Sequence, residues 1–178
     1  MPRSLHHLIE SLDSQRGALL DGLEALDLTA LQAKPRPGAW SILEILEHVV
    51  VAESVILLGL PSRAELVVQP RGLEHRLKYF LVLLVLKLRI PVRVPSRRML
   101  PTGQRSLAEL RATWDGHVRW LRAFAEEAKE DSHGQAFFTH PVAGPITLAQ
   151  ALRMDLLHLG IHRRQIANLR PQLLRPKA

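Results

Sequence analysis

Two histidines, His158 and His162, lie four residues apart in a leucine-rich run near the end of this chain. On an α-helix, residues i and i+4 lie one turn apart on the same face, so both imidazoles could point at a single metal ion. The alternative for each ring is a core histidine that is hydrogen-bonded inside the protein. The chain has 9 histidines, so this spacing also arises by chance. A third histidine, His48, lies in a similar amphipathic segment upstream, and the chemistry depends on whether the three side chains meet.

The composition limits what kind of site these residues can form. The chain has 178 residues and no cysteine, which excludes disulfides, cysteine zinc ligands and a cysteine nucleophile. The length suits one domain over residues 1–178. Residues 1–21 lack the apolar stretch and the small-residue cleavage site of a secretion signal, so we expect a cytoplasmic protein.

The positive charge is concentrated in one segment. The net charge is +7, and residues 63–105 carry ten basic and two acidic side chains, which accounts for all of it. This segment is either an ordinary solvated surface, an anion-binding rim, a membrane-surface patch or a nucleic-acid patch. It contains few aromatic side chains and no recognised nucleic-acid motif, so we expect no nucleic-acid partner.

Apolar residues at three- and four-residue steps predict an all-α protein with no strand. The helical segments are expected at residues 4–26, 41–58, 71–89, 106–129 and 147–169, with Pro171 ending the last one. Capping boxes mark three of the starts: Ser41 with Glu44, Ser106 with Glu109, and Thr147 with Gln150. Such helices pack most simply as an up-and-down bundle with crossovers.

The third segment is unusual because residues 79–86 are almost entirely apolar. This stretch is far shorter than the roughly 20 residues that a membrane span needs. We expect it to be buried on several sides or to lie at a subunit contact, possible in a homodimer. Peripheral membrane contact is the less favoured interpretation, since basic residues flank the apolar stretch. Pro91, Pro95 and Pro101 predict an extended connection after it.

Three motifs occur in the order found in a known family. The run PGAWSILEILEH over residues 37–48 resembles the signature G-x-W-S-x-x-E-x-x-x-H of the DinB/YfiT-like four-helix-bundle proteins. HPVAGPIT over residues 140–147 resembles the family's H-P-x-x-G-x-x-T, and HLGIHRRQI over residues 158–166 is similar to its H-x-x-x-H-R-x-Q-I. The resemblance implies an up-down-down-up bundle, here with an additional helical segment in the crossover. It also implies a metal held by His48, His158 and His162.

Three histidine ligands without a fourth protein ligand leave coordination positions open for water or substrate, as in catalytic sites. Zn²⁺ is the first choice of metal and Ni²⁺ the second, because imidazole suits both. Ligating histidines need an acceptor for the other ring N–H. Glu44 and Asp155 are candidates for that role, and each could equally be an ordinary helix-face carboxylate.

The resemblance also suggests an activity, because characterised relatives include transferases and isomerases that depend on bacillithiol, mycothiol or glutathione. A bound metal can hold a thiol as thiolate or lower the pKa of water to near 7. We therefore expect a metal-dependent S-transferase, isomerase or hydrolase acting on a small molecule, with a low-molecular-weight thiol as a possible cofactor. The alternative is a non-catalytic, stress-associated bundle that binds a metal or a hydrophobic ligand.

The remaining histidines are expected to be structural or surface residues: His6, His7, His75, His117, His133 and His140. His140, which precedes Pro141 in a loop, is also a candidate for the mouth of the pocket. Gly160 lies inside the last predicted helix, where glycine costs about 1 kcal/mol relative to alanine. We expect a close helix contact to require its small size.

Overall fold

The computed structural model describes residues 3–58, 67–94, 96–127 and 135–173. The helices in these ranges are α1 (Arg3–Glu24), α2 (Leu28–Gln32), α3 (Ile42–Leu58), α4 (Leu73–Lys87), α5 (Leu107–Glu127) and α6 (Leu148–Leu173). A 3-10 helix (Arg97–Met99) precedes α5, and two short strands, β1 (Phe138–His140) and β2 (Gly144–Ile146), precede α6. Pro95, His133 and part of the basic segment lie outside the described residues.

Helices α1, α3, α5 and α6 form a four-helix bundle in which α1 and α3 each pack against both α5 and α6. Helix α5 runs antiparallel to α1, because Arg122 pairs with Glu10 while Arg111 pairs with Asp21. Helix α6 runs parallel to α1, since Arg16 contacts Asp155 and Gly22 lies beside Arg170.

The direction of the remaining bundle helix follows from its contacts with α6. His48 in α3 lies against His158 and His162, whereas Glu53, further along α3, shares Arg16 with the earlier residue Asp155. Helix α3 is therefore antiparallel to α6 and parallel to α5. The order is up-down-down-up, as the resemblance predicted.

The predicted capping boxes are present at all three positions. The backbone N–H of Ser41 donates to Glu44 at 2.8 Å and that of Glu44 donates to the Ser41 hydroxyl at 3.1 Å. The other two boxes hold in the same way: Ser106 with Glu109 and Thr147 with Gln150. These caps satisfy N–H groups that have no partner inside a helix and fix the starts of α3, α5 and α6.

The prediction that no strand occurs is wrong. Strands β1 and β2 form an antiparallel hairpin in which Phe138 lies opposite Ile146. Three-residue strands are too short to show the alternation that identifies a strand in a sequence. Gly144 has φ +70°, and a Cβ there would lie 2.7 Å from Cδ2 of His75 on α4. The hairpin therefore needs glycine both for its backbone and for its contact with α4.

Two further expectations are wrong, and one short helix was not expected. Helix α6 continues through Pro171 to Leu173; the proline removes one backbone hydrogen bond, and only two residues of the helix follow it. Among the described residues, nothing apart from the neighbouring backbone of α6 lies within 4 Å of a Cβ built on Gly160, so no contact seen there requires its small size. The five-residue helix α2 was not anticipated, although Asp27 caps it by accepting from the N–H of Ala30 at 2.7 Å.

Helix α4 lies outside the four-helix bundle and packs on α6 and the hairpin. Tyr79 is buried there, and Val82, Leu83 and Leu86 pack against the core. The opposite side of α4 is exposed, so the expectation of burial on several sides is wrong within this chain. Among the described residues, no helix is long and apolar enough to cross a membrane.

Candidate metal centre

The antiparallel packing of α3 on α6 brings together the three histidines that the sequence singled out. His48 comes from the second turn of α3, and His158 and His162 come from the middle of α6. One ring nitrogen from each residue lies within 4.8 Å of the others. The ring centroids are 4.6 Å apart for His158 and His162, and 5.5 Å and 5.0 Å from His48 to these two.

The spacing of the ring nitrogens fits a small divalent ion. The Nε2 atoms of His158 and His162 are 3.1 Å apart. For Zn–N distances of about 2.0–2.1 Å, neighbouring nitrogens of a tetrahedral site lie about 3.3 Å apart. The two imidazoles are therefore within a few tenths of an ångström of the separation that one ion requires.

Burial keeps these imidazoles in the neutral form that binds metals. Burial, with the neighbouring rings of His162 and His48, lowers the pKa of His158 to about 3. Burial and His48 likewise lower the pKa of His162 to about 4, although its bond to Gln165 opposes the shift. Burial also lowers the pKa of His48, despite the opposing effect of the Met99 carbonyl. The three rings thus present lone pairs, and not positive charges, at neutral pH.

Two hydrogen bonds orient the rings. Nδ1 of His48 lies 2.7 Å from the carbonyl oxygen of Met99, which can only accept, so Nδ1 carries the proton. Nδ1 of His162 lies 3.0 Å from Oε1 of Gln165, and the same argument applies to an amide oxygen. In both residues Nε2 is then left free to coordinate, which is how outer partners fix the tautomer of a ligating histidine.

Neither carboxylate proposed as an outer partner plays that role. Glu44 accepts from Ser41 and pairs with Lys34 at 2.9 Å, so it caps α3. Asp155 accepts from Arg16 at 3.2 Å inside the bundle. The partners that do occur are a backbone carbonyl from a distant loop and Gln165, the glutamine of the run that resembles H-x-x-x-H-R-x-Q-I.

The loop that supplies Met99 is also held by the residue before His48. Glu47 is buried, and its carboxylate accepts from the N–H and hydroxyl of Thr102 at 3.0 Å and 2.6 Å and from the N–H of Gly103 at 2.8 Å. Consecutive residues of α3 thus bind the same loop. The sequence carried a weak signal for Glu47, since it falls on the apolar stripe of α3.

A buried ionic cluster lies further along the bundle and was also missed. Arg16 contacts Glu53 and Asp155, and the indole N–H of Trp114 donates to Glu53 at 2.7 Å. Burial would raise the pKa of Glu53, but His117, Arg16 and Trp114 outweigh it and lower that pKa. Burial and the nearby Glu53 raise the pKa of Asp155 to about 7, against the opposing effect of Arg16. Glu53 thus carries the negative charge beside Arg16, and the raised pKa of Asp155 leaves that carboxyl partly protonated near neutral pH.

The other histidines that lie within the described residues have structural or surface positions. His140 accepts from the N–H groups of Val142 and Ala143 at 3.1 Å and 3.0 Å and so caps the hairpin turn. His75 accepts from the N–H of Gly72 at the start of α4. His117 contacts Ser54 and Glu53, while His6 and His7 are exposed.

The fold and the sequence identify the class of protein. The sequence model of the DinB superfamily matches residues 11–166, and the chain belongs to this superfamily. Among solved structures, the chain is similar to YfiT from Bacillus subtilis, described as a probable metal-dependent hydrolase with an unusual four-helix bundle topology. The TM-score is 0.59 at 17% identity, over 95% of this chain and 87% of that chain. At this identity the likeness shows a shared fold. No curated protein matches the chain.

Proposed function

We propose that this protein is a metal-dependent enzyme whose ion is bound by His48, His158 and His162. The observation that carries the proposal is the approach of three neutral imidazole nitrogens to within 4.8 Å of one another. Two neighbouring, partly buried imidazoles are otherwise costly, because each needs a partner for its polar atoms. Zn²⁺ is the preferred ion and Ni²⁺ the second choice.

The chain supplies no fourth ligand in this proposal, so the ion would keep open positions and activate a bound thiol or water as a Lewis acid. The role of the protein is to present the three rings so that their Nε2 atoms face the ion. Met99 fixes the tautomer of His48, and Gln165 fixes that of His162. The preferred reaction class is thiol-dependent transfer or isomerisation of a small molecule. Hydrolysis is the variant in which water takes the place of the thiol.

The charge of the loop beside His48 supports the proposal that the substrate or cofactor is anionic. Met99 directly follows Arg97 and Arg98, whose side chains are exposed. Low-molecular-weight thiols commonly carry carboxylates, and guanidinium groups bind these with two parallel hydrogen bonds. These arginines are accordingly proposed to attract the anionic part of the thiol.

Metal analysis of the purified protein tests the proposal. We expect about one ion per chain, lost in His48→Ala and in His158→Ala, and kept in the exposed control His7→Ala. The metal-loaded protein should then consume thiol and a small electrophile, or hydrolyse a small ester or amide. Stoichiometric metal without turnover would favour the non-catalytic binding protein, and no metal in a folded protein would overturn the proposed metal-dependent enzyme.

A further inference from the structure

Helix α4 has two apolar sides, and only one of them is buried against other described residues. Its inner side, which includes Tyr79, Val82 and Leu86, packs against α6 and the core. Its outer side, together with the C-cap residue Leu88, consists of leucines and one phenylalanine with large exposed fractions: Leu73 83%, Leu77 60%, Phe80 59%, Leu81 48%, Leu84 40% and Leu88 62%. We call these six residues the outer α4 face. At about 100° per residue, they occupy one stripe roughly 100° wide along the helix.

Basic side chains border one side of this stripe, and an exposed ion pair lies along the other side. Arg76 and Lys87 are exposed along one edge, and Lys78 is exposed beyond the other, where it pairs with Glu74 at 3.8 Å. Glu74 is the sole acidic residue between 67 and 105, against nine basic residues: Arg71, Arg76, Lys78, Lys87, Arg89, Arg93, Arg97, Arg98 and Arg105. The partner of this face must therefore offer an apolar surface and negative charge together.

From this combination we propose that the outer α4 face docks on the surface of an anionic phospholipid bilayer. An apolar stripe flanked by lysine and arginine is the arrangement by which helices lie in a membrane interface, with acyl chains covering the stripe and headgroups facing the basic edges. The docked helix lies along the surface: its 15 residues give a length of about 22 Å, short of a span. The proposal is independent of the metal centre.

A second copy of the chain fits this face less well. A two-fold contact places the same patch against itself, so it must be self-complementary. Two outer α4 faces would bring together Arg76, Lys87 and their symmetry mates with little acidic charge to pair with them. Nucleic acid would satisfy the charge but would leave the exposed leucines without an apolar partner.

Co-sedimentation with lipid vesicles tests the docking. The full chain should bind vesicles of phosphatidylcholine mixed with phosphatidylglycerol, and should bind pure phosphatidylcholine vesicles weakly. The double variant Leu77→Glu/Leu84→Glu should lower the affinity at least about tenfold. Its matched control is Leu28→Glu on α2, because Leu28 is also 60% exposed.

Arg76→Gln/Lys87→Gln should weaken binding to the anionic vesicles, whereas Arg119→Gln/Arg164→Gln, at exposed positions on α5 and α6, should not. Circular dichroism checks that each variant folds.

The absence of cysteine allows a direct second measurement. A polarity-sensitive dye on Leu81→Cys should shift to the blue when anionic vesicles are added, while the same dye on Leu28→Cys should not. Equal vesicle binding by wild type and Leu77→Glu/Leu84→Glu, or no binding to anionic vesicles, overturns the proposal. The proposal is also overturned if the protein does not bind vesicles but forms a dimer that Leu77→Glu/Leu84→Glu dissociates. That result would assign the outer α4 face to a second copy of the chain.

Discussion

The Nδ1 atom of His48 lies 2.7 Å from the carbonyl oxygen of Met99, 51 residues further along the chain. The preceding residue, Glu47, accepts three hydrogen bonds from Thr102 and Gly103 in the same loop. The loop and the orientation of the His48 ring are therefore coupled. A change at Glu47 should affect metal binding without touching any imidazole.

We expect Glu47→Ala to lower metal affinity by about 10- to 100-fold, the usual range for outer partners of a metal site. It should also cost about 1–3 kcal/mol of unfolding free energy, because the three hydrogen bonds that the buried Glu47 carboxylate accepts are lost. Competition with a chromophoric chelator measures the first effect and urea unfolding the second. The comparison is Glu44→Ala, which removes a helix cap and should spare metal affinity.

The hydrogen bond from His162 to Gln165 gives a second test of ring orientation. Gln165→Leu removes the acceptor at 3.0 Å from Nδ1 and should weaken metal binding about tenfold. Gln165→Glu keeps an acceptor and should restore most of the affinity. Equal affinity in Gln165→Leu and wild type would show that this bond does not orient the ring.

Removal of Arg16 should be one of the most destabilising single changes on α1. Arg16→Met leaves Glu53 as a buried carboxylate without its guanidinium, and breaking such a pair costs about 3–5 kcal/mol. The comparison is Arg122→Met, since Arg122 pairs with Glu10 and Asp13 at the partly exposed surface, where ion pairs contribute about 0–1 kcal/mol. Urea unfolding of both variants should show the difference, and similar losses would contradict the buried cluster.

His158 and Asp155 should affect acid stability in opposite directions. In the metal-free protein the pKa of His158 is lowered to about 3 from 6.5. Between these values the unfolded chain binds a proton that the folded chain does not, so the unfolding free energy falls as pH drops below about 6.5. His158→Gln should therefore lose less stability on acidification than wild type.

The pKa of Asp155 is raised to about 7 from 3.8, so here the folded chain binds the extra proton. Its contribution to stability grows as pH falls from about 7 to about 4. Asp155→Asn should consequently lose more stability than wild type over that window. Urea unfolding across this pH range, with a chelator present, checks both variants, and slopes equal to wild type would contradict the assigned shifts.

Gly160→Ala should stabilise the protein by about 0.5–1 kcal/mol, because alanine is the better helix former and, apart from the neighbouring helix backbone, no described atom lies within 4 Å of the added Cβ. Metal affinity should stay the same, although the residue lies between two proposed ligands. Thermal unfolding measures the gain. A loss of stability would mean that a contact outside the described residues, or a partner molecule, occupies this position.

The sequence predicted the features that depend on local spacing. The histidine pair at i and i+4, the three capping boxes and the apolar periodicity of the bundle helices all follow from neighbours within one or two turns. The meeting of His48 with the pair needed the resemblance, because its position depends on how α3 packs against α6. Glu44 is a candidate outer partner from sequence because it lies one turn from His48, but its carboxylate caps α3 and pairs with Lys34.

The features that were missed depend on contacts between distant parts of the chain. Met99 offers only a backbone carbonyl to His48, and every residue has one, so no residue type could indicate it. Arg16 and Glu53 interrupt apolar stripes at core positions, which was a usable signal for a buried ion pair. The hairpin and α2 were too short for their periodicity to be recognised.

The up-down-down-up order divides the three imidazoles between two halves of the polypeptide, with His48 before α4 and the other two after it. Neither half alone carries a complete ligand set. If the chain were cut ahead of α4 and expressed as two pieces, ion capture would occur only on reassociation of the pieces. Metal binding by the mixed pieces would then measure how much of the bundle has assembled.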